Sequence, residues 1–148
     1  MKVDISAIVT AYERIDQTLA TLRVIHSCAP KPDEILVHVD ANRSEFEQAI
    51  RNAFPDVQIL HSEDRVGPGG GRNKLLNAAQ FELVASFDDD SFPLDRDYFA
   101  RIQLLARLYP TAKYALGHGH ACMRVVVGGT PVIFDHGRTL SDATVGTA

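Results

Sequence analysis

Short apolar runs alternate with longer amphipathic stretches along most of this 148-residue chain. The runs that predict strands are residues 3–9, 35–39, 57–60 and 83–87, and helical patterns lie between them. A parallel sheet with right-handed helical crossovers accommodates this order of elements. The length corresponds to one domain with a sizeable core. We therefore expect an α/β sandwich around a mostly parallel central sheet.

The predicted helices are bounded by local capping and breaking signals. Asp16 is expected to cap the first helix, and Ser44-Glu45-Phe46-Glu47 has the pattern of a capping box that opens the second. The glycine-rich residues 62–71 are predicted to form a loop, and the third helix is predicted to start at Arg72. A fourth helix is predicted from Asp95 to Tyr109.

Beyond the fourth helix the pattern changes to strands. Residues 112–118 predict a fifth strand. Met123–Val127 and Val132–Phe134 predict a hairpin, since Gly128-Gly129-Thr130-Pro131 lies between them. The tail after residue 136 has no strong pattern.

Polar residues follow the predicted strands at the point where each strand ends. Thr10 and Tyr12 follow the first strand, Asp40 follows the second, and Asp88-Asp89-Asp90 follows the fourth. In parallel α/β sheets, ligands bind beyond the carboxyl ends of the strands, near the point where the strand order reverses. We expect these side chains and Arg72 to form one site. The alternative for the acidic cluster is a solvated turn that caps the next helix.

Three consecutive carboxylates need a counter-charge if they lie in a cleft. Two carboxylates about 4 Å apart repel by roughly 4 kcal/mol at an effective dielectric constant near 20. Hard oxygen ligands suit Mg²⁺ or Mn²⁺. The sequence therefore predicts a divalent cation at Asp88–Asp90.

The glycine-rich stretch does not match the common phosphate-binding motifs. It is not a Walker A motif, because Gly71 is followed by Arg72-Asn73 rather than by Lys and Ser or Thr. It is not a dinucleotide fingerprint either, because it follows the third predicted strand rather than the first. A backbone-rich loop before a helix can still hold a diphosphate, with Arg72 adding charge. The alternative is a loop with a surface arginine.

Composition narrows the classes of partner and compartment. The net charge of −4 gives no electrostatic reason to expect nucleic acid. No apolar stretch approaches the span of a bilayer, and the first residues lack the apolar region of a signal peptide. Cys28 and Cys122 are far apart, which favours reduced thiols. We expect a protein of the cytoplasm, either free or peripheral to the inner face of the membrane.

Together, the polar segments resemble the family 2 glycosyltransferases of GT-A fold. The segments that carry the resemblance are Thr10-Ala11-Tyr12-Glu13-Arg14, Asp40, Gly71-Arg72-Asn73 and Asp88-Asp89-Asp90. The family usually has Asn where this chain has Glu13. The resemblance implies a Rossmann-like α/β/α sandwich that binds a UDP-, GDP- or dTDP-sugar with Mg²⁺ or Mn²⁺. It also implies transfer of the sugar to an acceptor hydroxyl with inversion of configuration.

The resemblance also implies roles for individual residues. Thr10 and Tyr12 would line the nucleoside pocket, Asp40 would hydrogen-bond the base, and Arg72 would contact the nucleotide. In the DxD motif Asp90 would be the direct metal ligand, with Asp88 as a second ligand, and Asp88 or Asp89 would hold ribose or sugar hydroxyls. The full set expected to bind the nucleotide sugar is Thr10, Ala11, Tyr12, Arg14, Asp40, Gly71, Arg72, Asp88 and Asp89.

Members of this family generally continue well past the hairpin region, where the acceptor platform and the general base lie. We expect residues 1–148 to be a single nucleotide-sugar-binding domain without the acceptor-binding half, and the base to lie beyond Ala148. Apolar surface that the missing half would cover could then support a homo-oligomer.

Three other functions compete with this interpretation. The first is a non-catalytic nucleotide-sugar-binding module. The second is a sugar-phosphate nucleotidyltransferase, whose family carries a glycine-rich signature after strand one, where this chain has Thr10-Ala11-Tyr12. The third is a phosphatase of the haloacid dehalogenase type, whose nucleophile ends the first strand, whereas the acids here follow the fourth.

Overall fold

The computed structural model describes residues 2–41 and 43–109 and the backbone of four further strands. The elements follow in the order β1 (Ile5–Ala11), α1 (Ile15–Ser27), β2 (Glu34–Val39), α2 (Ser44–Ala53), β3 (Gln58–His61), α3 (Gly67–Ala78), β4 (Leu83–Asp88), α4 (Tyr98–Leu108), β5 (Lys113–Leu116), β6 (Cys122–Val127), β7 (Thr130–Asp135) and β8 (Gly146–Thr147). No helix among these residues is long and apolar enough to cross a bilayer.

Strands β1 to β4 form an all-parallel sheet in the order β3-β2-β1-β4. The strand order reverses at β1, because β2 and β3 lie on one side of it and β4 lies on the other. The carboxyl ends of β1 and β4 therefore form the crevice where such sheets bind ligands. In the register of these two strands, Thr10 is opposite Asp88. The predicted α/β architecture is confirmed.

The two faces of this sheet differ in chemistry because successive side chains alternate between them. One face carries the main apolar core, in which Val9 and Val37 pack with residues of α1, α2 and α4 such as Phe99. Burial of each such large side chain contributes about 1.5–3 kcal/mol. The other face is covered by α3 through a smaller cluster of Ile8, Leu36 and Leu75.

The α3 face becomes polar towards the carboxyl ends of the strands. On this face Thr10 follows the apolar part of β1 and His38 follows that of β2, while Ser86 and Asp88 form the polar end of β4. The fold therefore directs the polar residues of three strands to one corner, beside the start of α3.

Helix α3 begins at Gly67, five residues before the predicted start at Arg72, so the loop prediction for residues 67–71 is wrong. The carboxylate of Asp40 accepts hydrogen bonds from the backbone N–H groups of Val66, at 2.8 Å, and Gly67, at 2.9 Å. These bonds satisfy donors that a helix start leaves unpaired, and the negative charge suits the positive end of the helix dipole. Pro68 is compatible with the first turn because no N–H is needed there.

Both predicted side-chain caps are wrong. Helix α1 begins at Ile15, which places Asp16 inside the first turn, and no side chain caps it. Helix α2 begins at Ser44 itself and also has no side-chain cap. The fourth helix begins at Tyr98 rather than Asp95, because the N–H of Tyr98 closes a turn on the carbonyl of Asp95 before the helix starts.

The C-terminal strands form a second sheet, antiparallel throughout, in the order β5-β6-β7-β8. The predicted fifth strand is present, but it pairs with β6 rather than extending the parallel sheet. The predicted hairpin is confirmed as β6 and β7, with Val127 opposite Thr130. Most of the tail, at residues 136–145 and 148, lies outside the described residues.

The contact between α3 and β2 predicts opposite effects for two neighbouring glycines. A Cβ atom at Gly71 would lie 3.1 Å from Cγ of His38 and closer still to Nδ1, whereas a Cβ at Gly69 would have nothing within 4 Å. We expect Gly71→Ala to lower the free energy of unfolding by about 1–3 kcal/mol through overpacking. Gly69→Ala should raise it by about 0.5–1 kcal/mol because alanine favours the helix. Urea unfolding of both variants measures the difference, and equal effects would contradict this packing.

Candidate active site

A cavity of about 370 Å³ opens at the carboxyl ends of β1, β2 and β4. The expected site residues that line it are Thr10, Ala11, Tyr12, Arg14, Asp40, Arg72, Asp88, Asp89 and Asp90. Gly71 is the expected residue that does not line it, because it packs against His38 behind the cavity wall. Two lining residues, His38 and Arg65, were missed by the sequence analysis, while Gly67 and Pro68 belong to the glycine-rich stretch considered there as a diphosphate site.

Asp88 lies at the junction of β1 and β4 and is held from two sides. Its Oδ1 accepts a hydrogen bond from the hydroxyl of Thr10 at 3.0 Å and another from Nη2 of Arg72 at 2.7 Å. Arg72 also donates through Nε to the hydroxyl of Ser86 at 2.9 Å, which fixes the guanidinium against β4. The positive charge of Arg72 is therefore paired with Asp88.

Arg14 bridges the other two carboxylates of the acidic cluster. It donates to Asp89 through Nη2, at 2.5 Å, and through Nε, at 3.1 Å, and its Nη1 donates to Oδ2 of Asp90 at 3.1 Å. Two-pronged pairing of this kind is the strong form of an arginine–carboxylate contact. The counter-charge predicted for the cluster is thus supplied in part by the chain itself.

Asp89 is the most enclosed of the three acids, with 9% of its side chain exposed. Its backbone carbonyl accepts a hydrogen bond from the buried hydroxyl of Thr21 at 2.8 Å, which ties the acidic segment to α1. Burial raises the pKa of Asp89, and the Arg14 guanidinium offsets this only in part. Arg14 therefore stabilises a carboxylate that would otherwise favour protonation.

On the β2 side of the cavity, His38 is fully buried beside Asp40. Its Nε2 lies 2.7 Å from the hydroxyl of Ser62, and its ring packs against Gly71 of α3. Burial lowers the pKa of His38, because an imidazolium would lose its hydration there. Neutral His38 thus joins β2, the segment after β3, and α3.

The ring of Tyr12 contacts two guanidinium groups. The Cζ atoms of Arg43 and Arg65 lie 4.6 and 4.3 Å from the centre of the Tyr12 ring, which is the geometry of cation–π contacts. Arg43 also donates to Oε1 of Glu13 at 3.2 Å. Glu13 therefore anchors one of the two arginines.

Comparison with known proteins decides the family of this chain. The sequence model of the family described as glycosyl transferase family 2 matches residues 6–116 of this chain. The chain belongs to glycosyl transferase family 2. The resemblance to this family that the sequence motifs indicate is confirmed. No curated protein matches it by sequence.

Solved structures agree with the GT-A fold of this family 2 domain. A mannosyltransferase, PcManGT from Pyrobaculum calidifontis in complex with GDP-Man and Mn²⁺, has a TM-score of 0.62 at 23% identity and matches 70% of this chain and 33% of its own. S. aureus TarS 1-349 in complex with UDP-GlcNAc has a TM-score of 0.63 at 19% identity and matches 76% of this chain and 33% of its own. The chain spans about a third of the length of these structures.

The acids of this family 2 domain suit a divalent cation that brings further ligands with it. Among the described residues, no three His, Cys, Asp or Glu side chains are grouped to hold a metal. Asp90 is 49% exposed on the cavity and is paired with Arg14 through Oδ2. Mg²⁺ commonly takes only one or two carboxylates and completes its shell with substrate phosphates and water. Asp90 fits that use better than Asp88, whose Oδ1 already accepts two hydrogen bonds.

The lowered pKa of His38 predicts how stability depends on pH. Unfolded His38 titrates near pH 6.5, so below that pH the unfolded chain binds a proton that folded His38 resists. This group therefore makes the free energy of unfolding fall as pH decreases below about 6.5, by at most about 1.4 kcal/mol per pH unit. The decrease in the free energy of unfolding stops once the pH is below the lowered pKa of folded His38, because both states are then protonated.

Urea unfolding at pH 7.5 and 5.5 tests this effect in the wild type and in His38→Gln. The variant should lose stability at pH 7.5 but show a smaller decrease between the two pH values. An identical pH dependence of the wild type and His38→Gln would show that His38 does not resist protonation.

Proposed function

We propose that this domain binds a nucleoside diphosphate sugar in the cavity and transfers the sugar to an acceptor hydroxyl with inversion of configuration. The observation that carries the proposal is the convergence of residues from β1, β2, α3 and β4 on one cavity at the reversal point of the sheet. The complexes of PcManGT with GDP-Man and of TarS with UDP-GlcNAc support this class of ligand.

In this proposal the nucleoside lies towards β1 and β2. Tyr12 provides an aromatic surface, with Thr10 and Ala11 beside it, and Asp40 provides a carboxylate for the N–H groups of a base. Asp40 can serve the base while it caps α3, since a carboxylate has about four lone-pair sites and the two backbone bonds use two of them. An acceptor-only side chain can accept the ring N–H of uracil, thymine or guanine, or an amino group of another base.

The diphosphate and sugar lie towards the acidic segment. Asp88 and Asp89 are held in fixed positions by Arg72 and Arg14, where they can accept hydrogen bonds from ribose or sugar hydroxyls. Asp90 would hold a divalent cation, Mg²⁺ or Mn²⁺, which stabilises negative charge on the departing nucleoside diphosphate. A general base must take the proton of the acceptor hydroxyl. We assign no residue of this chain to that role.

The second candidate is a binding module that holds the nucleotide sugar without transferring it. The match to only a third of each solved neighbour keeps this candidate open, because transfer also needs an acceptor site and a base. A nucleotidyltransferase has less support, since Thr10-Ala11-Tyr12 follows β1 without a glycine-rich signature. We also propose a location in the cytoplasm and assembly into a homo-oligomer, which the size of the purified chain in solution would test.

Calorimetry with UDP and GDP, each with and without Mn²⁺, tests the donor site. We expect one of the two nucleotides to bind, and Mn²⁺ to tighten its binding. Asp90→Asn should weaken binding in the presence of Mn²⁺ by about tenfold or more, since it removes the charge that holds the cation. Asp16→Asn is the matched control, because Asp16 is exposed and does not line the cavity. If neither UDP nor GDP binds, the proposal is refuted. If binding is equally tight with and without Mn²⁺, the cation has no role in holding the nucleotide.

The bridge between Arg14 and Asp90 predicts a competition with the cation. Arg14→Gln should free the Asp90 carboxylate and tighten the binding of Mn²⁺ alone severalfold, as measured by electron paramagnetic resonance of the free ion. Arg51→Gln, which changes an exposed arginine paired with Glu47 outside the cavity, should leave Mn²⁺ binding unchanged. Weaker Mn²⁺ binding in Arg14→Gln would mean that Arg14 prepares the acidic cluster for the cation rather than competing with it.

A further inference from the structure

The three arginines that line the cavity differ in their partners. Arg14 is paired with Asp89 and Asp90, and Arg72 is paired with Asp88. Arg65 is exposed and, within the part of the chain that the structure describes, forms no ion pair with a carboxylate. Its guanidinium instead lies over the Tyr12 ring, 4.3 Å from the ring centre. Arg65 is therefore the cavity arginine whose charge is not already neutralised.

The charge balance of the cavity gives this difference a consequence. The two paired arginines face three carboxylates, so the acidic segment keeps a net negative charge even with both ion pairs formed. A nucleoside diphosphate adds further negative charge. Arg72, which the sequence suggests as the nucleotide contact, could pair with a phosphate only by sharing or leaving Asp88.

We propose that Arg65 is a binding residue for the phosphates of the donor, and that it covers the Tyr12 ring until the donor arrives. This inference rests on the proposed function. A cation–π contact at an exposed position is weaker than charge-assisted hydrogen bonds to a phosphate, so a diphosphate can draw the guanidinium away from the ring. Arg65 stands two residues before Gly67, the start of α3, and Arg65, Gly67 and Pro68 all line the cavity.

The same movement would uncover an aromatic surface for the base. Arg43, the other arginine over Tyr12, is held by Glu13 and can remain in place. One exposed side chain then links two events, because more of the Tyr12 ring becomes accessible when Arg65 binds a phosphate. Ligands with phosphates should bind more tightly because of Arg65. A nucleoside without phosphates must displace Arg65 from the Tyr12 ring and forms no contact with it in return.

The experiment compares ligands with and without the diphosphate on the full chain. Dissociation constants for UDP and uridine, or for GDP and guanosine if GDP is the nucleotide that binds, are measured with Mn²⁺ present by calorimetry and ligand-observed nuclear magnetic resonance. Arg65→Gln should weaken the nucleoside diphosphate about tenfold, through the loss of charge-assisted hydrogen bonds. The nucleoside should bind as well as before or better. Arg51→Gln should change neither value.

The outcomes separate this inference from the function on which it rests. Equal weakening of the nucleoside and the diphosphate by Arg65→Gln would overturn it, because Arg65 would then act by orienting Tyr12. An unchanged affinity for the diphosphate would overturn it as well, while leaving the donor site itself intact. A wild-type chain that binds neither UDP nor GDP would overturn the proposed function and this inference together.

Discussion

The pairing of the acidic segment with Arg14 and Arg72 is the interaction on which the rest of the site depends. Three consecutive carboxylates at a sheet edge repel one another strongly in a medium of low polarity. Each arginine comes from a different side of the sheet, since Arg14 precedes α1 and Arg72 belongs to α3. The acidic segment is therefore held between the two helical layers, and its geometry is set before any ligand binds.

The remainder of the cavity wall depends on how α3 is attached to the polar face of the sheet. Asp40 caps the first turn of α3, His38 packs against Gly71, and Arg72 reaches β4. Two strands, β2 and β4, thus contact one helix through polar or close contacts, whereas the opposite face is held by a large apolar core. The domain separates the two tasks, with stability concentrated on one face and ligand chemistry on the other.

The strands of the parallel sheet could be predicted because buried strands in such sheets are continuous apolar runs, and Thr10 and Asp88 could be predicted as site residues because they end those runs. The early start of α3 could not be predicted, because the residue that caps it is Asp40, which lies 26 residues before Val66 in the chain. Local patterns carry no information about such a contact. His38 and Arg65 were missed for related reasons, one being within a strand and the other in an exposed segment without a motif.

The composition of the first turn of α3 has a consequence for how the site responds to its ligand. Gly67, Gly69 and Gly70 have little intrinsic preference for a helix, so this turn persists mainly through the two hydrogen bonds to Asp40. A ligand that displaced the Asp40 carboxylate from these two N–H groups would therefore loosen the start of α3, whereas one that used only the free lone pairs of Asp40 would leave the helix start in place.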